Sequence, residues 1–104
     1  MPKNTESKLQ YYINLAEHGT EFDIDLIMKD LDSNTTIIDS KFIDYALSLV
    51  KSAKGIEVIG EYLFKGTQIQ RNYCTLFFNR RDDWPIVKKA FMMGLIDEIQ
   101  AFSK

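Results

Sequence analysis

The sequence predicts an all-α fold, a compact array of five to seven short antiparallel helices in a single helical domain over residues 1–104. Three observations predict it. Apolar residues recur at spacings of three and four along most of the chain. Gly19, Gly55, Gly66 and Gly94 fall where those stripes stop, as helix-ending glycines do. The stretches between them run to about ten to fifteen residues and are joined by short turns, which favours consecutive antiparallel packing.

The elements follow in order. Residues 1–5 read as a loose start, with Thr5 or Ser7 as the cap of a first helix. Leu9, Tyr12, Ile13 and Ala16 make its apolar stripe, and Gly19 closes it. Thr20 and Asp23 have the spacing of a capping box. Residues 22–28 fit two patterns. Phe22, Ile24, Leu26 and Met28 alternate like a strand, whereas Ile24, Ile27, Met28 and Leu31 recur like a helix; helix is the reading adopted. Residues 32–36 form a loop, and the β-branched run Thr35-Thr36-Ile37-Ile38 reads as extended. Asp39-Ser40 opens the next helix, with Phe42, Ile43, Ala46, Leu47 and Val50 on one face and Gly55 at its end.

Ile56, Ile59 and Leu63 mark a further helix, in which Gly60 allows close helix approach. Thr67 caps a helix running to Arg81. On it Gln68, Asn72, Thr75 and Asn79 form a narrow polar strip inside a wide apolar arc. Gln70 lies within that arc, and an amide there needs a partner: a backbone at the helix end, or a bound protein. Asp83 is placed as N-cap, with Pro85 in the first turn. Ile86, Val87, Ala90 and Phe91 form the stripe that Gly94 ends. Leu95 or Ile96, Ile99 and Phe102 predict a short last helix.

Composition narrows the function classes. The chain has 104 residues, is 45% hydrophobic and 27% charged, and carries a net charge of −2, which fits a globular chain rather than a disordered or nucleic-acid-coating one. The charge is uneven. Residues 1–40 hold three lysines and eight acids, and the remainder holds ten basic residues and seven acids. Such polarity can steer a partner or drive head-to-tail self-association. Cys74 is the one cysteine, so no internal disulfide can form. With no apolar leader and no apolar run of membrane-spanning length, the expected location is cytoplasmic and no membrane partner is expected.

No residue pattern requires catalysis. His18 is the only histidine, with Glu17 and Glu21 as local acids, and its place at a helix end suits the helix dipole. Cys74 sits among aromatics as a buried apolar residue would. The carboxylate pairs Asp23/Asp25, Asp82/Asp83 and Asp97/Glu98 are accounted for by caps and helix starts. Asp23-Ile24-Asp25 does not continue into a calcium loop. The chain is therefore read as non-catalytic, with no metal site and no cofactor.

Two binding readings remain. In the first the chain is a protein-interaction module, an adaptor or regulatory scaffold that also forms a homodimer. Phe64, Phe78, Met92 and Met93 are its apolar contacts where they stand exposed, and Gln70 faces the partner. The alternative is nucleic-acid binding by Arg71, Arg80, Arg81, Lys88 and Lys89, interleaved with Tyr73, Phe77, Phe78 and Trp84.

Gly66-Thr67-Gln68-Ile69-Gln70-Arg71, followed by small Cys74 and bulky Phe78, resembles the entry to the second helix of a HEAT-type repeat. The resemblance spans residues 55–103. Gln70 departs from it, because the family has an apolar residue there, and the motif has no second copy. The resemblance implies stacked helical hairpins in the second half and a scaffold that binds other proteins.

Overall fold

The computed structural model describes residues 5–104, with side chains from Lys8 onward. The expected caps Thr5 and Ser7, and the loose start before them, lie outside the described side chains and residues. Seven helices and no strand occur among the described residues: α1 (Thr5–His18), α2 (Glu21–Lys29), α3 (Ile37–Leu47), α4 (Ala53–Lys65), α5 (Gln68–Arg80), α6 (Trp84–Met92) and α7 (Glu98–Ala101). The chain forms two units, Met1–Val58 and Ile59–Lys104, divided within α4.

In the first unit α1 packs against both α2 and α3. Residues 22–28 are helical. Thr20 Oγ1 accepts from the Asp23 amide at 3.2 Å, and the Thr20 amide donates back to Asp23 Oδ2 at 3.0 Å. This reciprocal cap satisfies donors that a new helix leaves orphaned. Ile24, Ile27, Met28 and Leu31 are then buried, while Phe22 stands in solvent. The helical period, not the alternation, matches the burial. Gly19 before the cap has φ +69°, the left-handed conformation expected of it.

Both ends of the third helix differ from the sequence reading. The Thr36 hydroxyl accepts from the Asp39 amide at 3.0 Å, so α3 starts at Ile37, and Ile37-Ile38 is helical rather than extended. At its other end α3 stops at Leu47, and Gly55 does not end it but lies in the first turn of α4. Ser52 accounts for this. Its hydroxyl accepts from the Gly55 amide at 3.0 Å and donates to the Gly19 carbonyl at 2.7 Å. A Cβ at residue 55 would lie 2.7 Å from both Ser52 Oγ and Val50 Cγ1. Gly55 is needed for close approach.

Polar ties join the three helices. Lys8 Nζ meets Asp39 Oδ2 at 2.7 Å, and the buried Tyr12 hydroxyl donates to Asp30 Oδ2 at 2.8 Å. Burial and the Asp30 carboxylate together push the Tyr12 phenol well above its ordinary range. His18 pairs with neither Glu17 nor Glu21; its Nδ1 lies 2.6 Å from Asp23 Oδ2.

Burial alone would raise the Asp23 carboxyl. The hydrogen bonds from Thr20 and the nearby His18 outweigh it and hold the group below the usual range. A carboxylate depressed in the folded state stabilises fully above its unfolded pKa of about 3.9. That contribution disappears as pH falls through the folded value. Replacing Asp23 with Ala should therefore lower stability near neutral pH by about 1 kcal/mol, the worth of a cap. It should also shrink the loss that the parent suffers below about pH 4. Urea melts across pH 2.5–7 would check both.

In the second unit α5 packs against α6 and α7, which also touch each other. Thr67 and Gln70 close a second capping box: the Thr67 amide donates to Gln70 Oε1 at 2.9 Å, and Thr67 Oγ1 accepts from the Gln70 amide at 3.3 Å. Gly60 allows the close approach expected of it, since a Cβ there would lie 3.4 Å from Ile86 Cδ1 and 3.7 Å from Phe78 Cζ. Asp83 precedes α6 but makes no side-chain cap bond; its amide donates to the Phe78 carbonyl instead, at 2.9 Å. Gly94 ends α6 with φ +78°. The last helix starts at Glu98, later than Leu95 or Ile96, because Asp97 Oδ1 caps the Gln100 amide at 2.8 Å.

Candidate interaction surface

The expected apolar contact residues separate into two groups. Phe78 is only 2% exposed, so it belongs to the core and cannot meet a partner. Its ring packs edge-on against Phe77, with centroids 5.0 Å apart. Phe64 is half-buried beneath Lys89, whose Nζ lies 5.6 Å from the ring centroid. Gln70 is half-buried, and its side-chain oxygen is occupied by the Thr67 cap. Met92 and Met93 alone stand out, 73% and 59% exposed.

Three further apolar side chains join them on the last two helices. Ile99 is 82%, Phe102 64% and Trp84 38% exposed. Trp84 and Phe102 stack, with centroids 5.2 Å apart and planes 21° from parallel. The sequence reading used Leu95 or Ile96, Ile99 and Phe102 as the apolar spacing of a short last helix. Ala101 and, of that spacing, Ile96 are buried, while Ile99 and Phe102 are exposed; a four-residue helix is too short for periodicity to reveal which face is covered.

Below it lies the polar strip of α5. Thr75 and Asn79 are buried, Thr75 Oγ1 donating to the Arg71 carbonyl at 2.8 Å. Asn79 Nδ2 donates to two main-chain carbonyls, Ala101 at 2.9 Å and Ser103 at 2.7 Å. Asn72 Oδ1 and Gln100 Oε1 are buried without a donor among the described residues. A groove of about 180 Å³ is lined by Asn79, Asp82, Trp84, Ala101, Phe102 and Lys104.

The basic residues differ in what they touch. Arg71 is half-buried and ties two turns together: Nε donates to the Leu95 carbonyl at 2.8 Å and Nη1 to the Gly66 carbonyl at 2.7 Å. The Arg81 guanidinium lies 5.0 Å from the Phe77 ring centroid. Arg80, Lys88 and Lys89 are exposed. Cys74 is fully buried, and burial pushes its thiol far up, away from the reactive thiolate.

The fold and this surface define an all-α chain with several large apolar side chains exposed on or beside α6 and α7. No helix among the described residues is long and apolar enough to cross a membrane. Compared with protein-family models, with curated proteins and with solved structures, the chain matched none.

Proposed function

We propose that the chain is a non-catalytic protein-interaction module, an adaptor or regulatory scaffold, that also self-associates as a homodimer. The observation that carries this reading is the exposure of Trp84, Met92, Met93, Ile99 and Phe102. Five of the ten large apolar side chains that stand exposed among the described residues fall between Trp84 and Phe102, and association would cover them. The two methionines supply adaptable contacts. The HEAT-type resemblance accords with a scaffold role. Arg71 braces the turn before α5 against the turn after α6.

The nucleic-acid reading has weaker support, because Arg71 spends its donors on carbonyls and Arg81 and Lys89 lie over rings. Light scattering over a concentration series at two salt levels separates the readings. A contact made by apolar side chains gives a dimer at both salts, whereas phosphate binding weakens steeply as salt rises. A monomer at every concentration removes the homodimer.

A further inference from the structure

We infer that self-association joins α2 of one copy to α6 of the next, with Phe22 of the first against Met92 of the second and Glu21 and Asp25 facing Lys88 and Lys89. The inference rests on the self-association reading and names the surface that the methionine meets. Phe22 is 70% and Met92 73% exposed. Each stands on the outer face of its helix. On α2 the buried residues are Asp23, Ile24, Ile27 and Met28. Glu21, Phe22 and Asp25 lie away from them, neighbours at one-turn spacing. Lys29 follows a further turn along, past half-buried Leu26, so the Phe22 end of the face is acidic. On α6 the buried residues are Val87 and Ala90. Lys88 and Lys89 are exposed one turn before Met92, and residues 84–96 include no acid.

The two patches complement each other and repel themselves. Both centre on one large apolar side chain, and a methionine against an aromatic ring is a favourable contact. Around that centre one patch carries two carboxylates and the other two ammonium groups. Packing α6 on α6 would set lysines against lysines, and packing α2 on α2 would set acids against acids; like charges across a contact disfavour both pairings. The wider charge has the same sense. Residues 8–58 hold nine acids and five lysines, whereas residues 59–104 hold five acids and seven basic residues. The occupant of the α2 patch is therefore a second copy of this chain. Made in both directions between two copies, the contact gives a closed dimer. The apolar pair supplies affinity, and the charges choose which faces meet.

The test is an exchange of charge. Glu21→Lys and Lys88→Glu alter exposed positions, and circular dichroism checks that both variants keep their helices. Sedimentation at low salt, where charges are least screened, follows the parent, each variant and their equimolar mixture. The expected result is about tenfold weaker self-association for each variant alone, because like charges then face each other in both contacts. The mixture should associate like the parent, since one contact carries exchanged charges and the other is the original. A Glu21→Lys chain that associates like the parent, or a mixture no better than its components, overturns the inference and leaves self-association through α6 standing. A parent that stays monomeric removes both.

Discussion

Phe78→Ala should destabilise the protein by about 3–5 kcal/mol, the usual cost of emptying a large aromatic site in a core. Phe78 and its neighbour Phe77 are the largest buried side chains of the second unit, and Phe78 is the more deeply buried. Its ring meets Phe77 edge-on and lies beside Gly60. Removing it takes away the transfer free energy of the ring and leaves a cavity that rigid neighbours fill only in part. Met92→Ser, which also removes a large apolar side chain but at a surface position, should change the stability of the monomer by about 0.5 kcal/mol or less. Chemical denaturation of the two variants reads the contrast directly. Equal destabilisation would mean that Phe78 and Met92 do not occupy different environments.

Arg71→Met is the second large effect. The substitution keeps an unbranched apolar stem and removes both charge-assisted donors. The carbonyls of Gly66 and Leu95 then lose their partners in a half-buried setting. Hydrogen bonds to charged groups contribute about 1.5–3 kcal/mol each when buried, and partial exposure reduces that. A loss of about 2–4 kcal/mol is expected. Arg71→Lys should recover little of it, because a single ammonium cannot reproduce the two-pronged geometry. Thermal melts of the three proteins test this. If Arg71 instead served a phosphate ligand, both variants would melt like the parent.

The residues that were legible from sequence are those with local causes. Thr20 with Asp23 and Thr67 with Gln70 form caps within four residues, and Gly19 and Gly94 take positive φ at helix ends. Such features need no tertiary information. Gln70 shows the same rule at work, since its amide inside an apolar arc is explained by its own helix start. Gly55 was misread because an end-of-helix glycine and a close-approach glycine look alike in sequence. Only the contacts of Ser52 and Val50 separate them. Phe78 was misassigned for a related reason: a wide apolar arc does not say which of its residues face out.

The α7 segment marks the limit of pattern reading. Ile99 and Phe102 are outward and Ala101 inward, a division that the spacing does not show. What holds it is a side chain on α5 gripping main-chain carbonyls, which leaves no trace in the pattern of apolar residues. The polar strip of Asn72, Thr75 and Asn79 was visible as a strip. That it lies under the last segment, with Thr75 and Asn79 buried, follows only from the tertiary fold.

The central claim is that the outward apolar side chains of α6 and α7 mediate association and do not support the fold. The most direct measurement is solution mass by sedimentation, with a melt on the same samples, for the parent and a Met92→Ser/Ile99→Ser double variant. The account predicts a parent mass above the 12.1 kDa of one chain, a variant mass equal to it, and an unfolding midpoint for the variant, at a concentration where both are monomeric, matching the parent's. An unchanged mass, or a variant that loses its fold, would contradict the account.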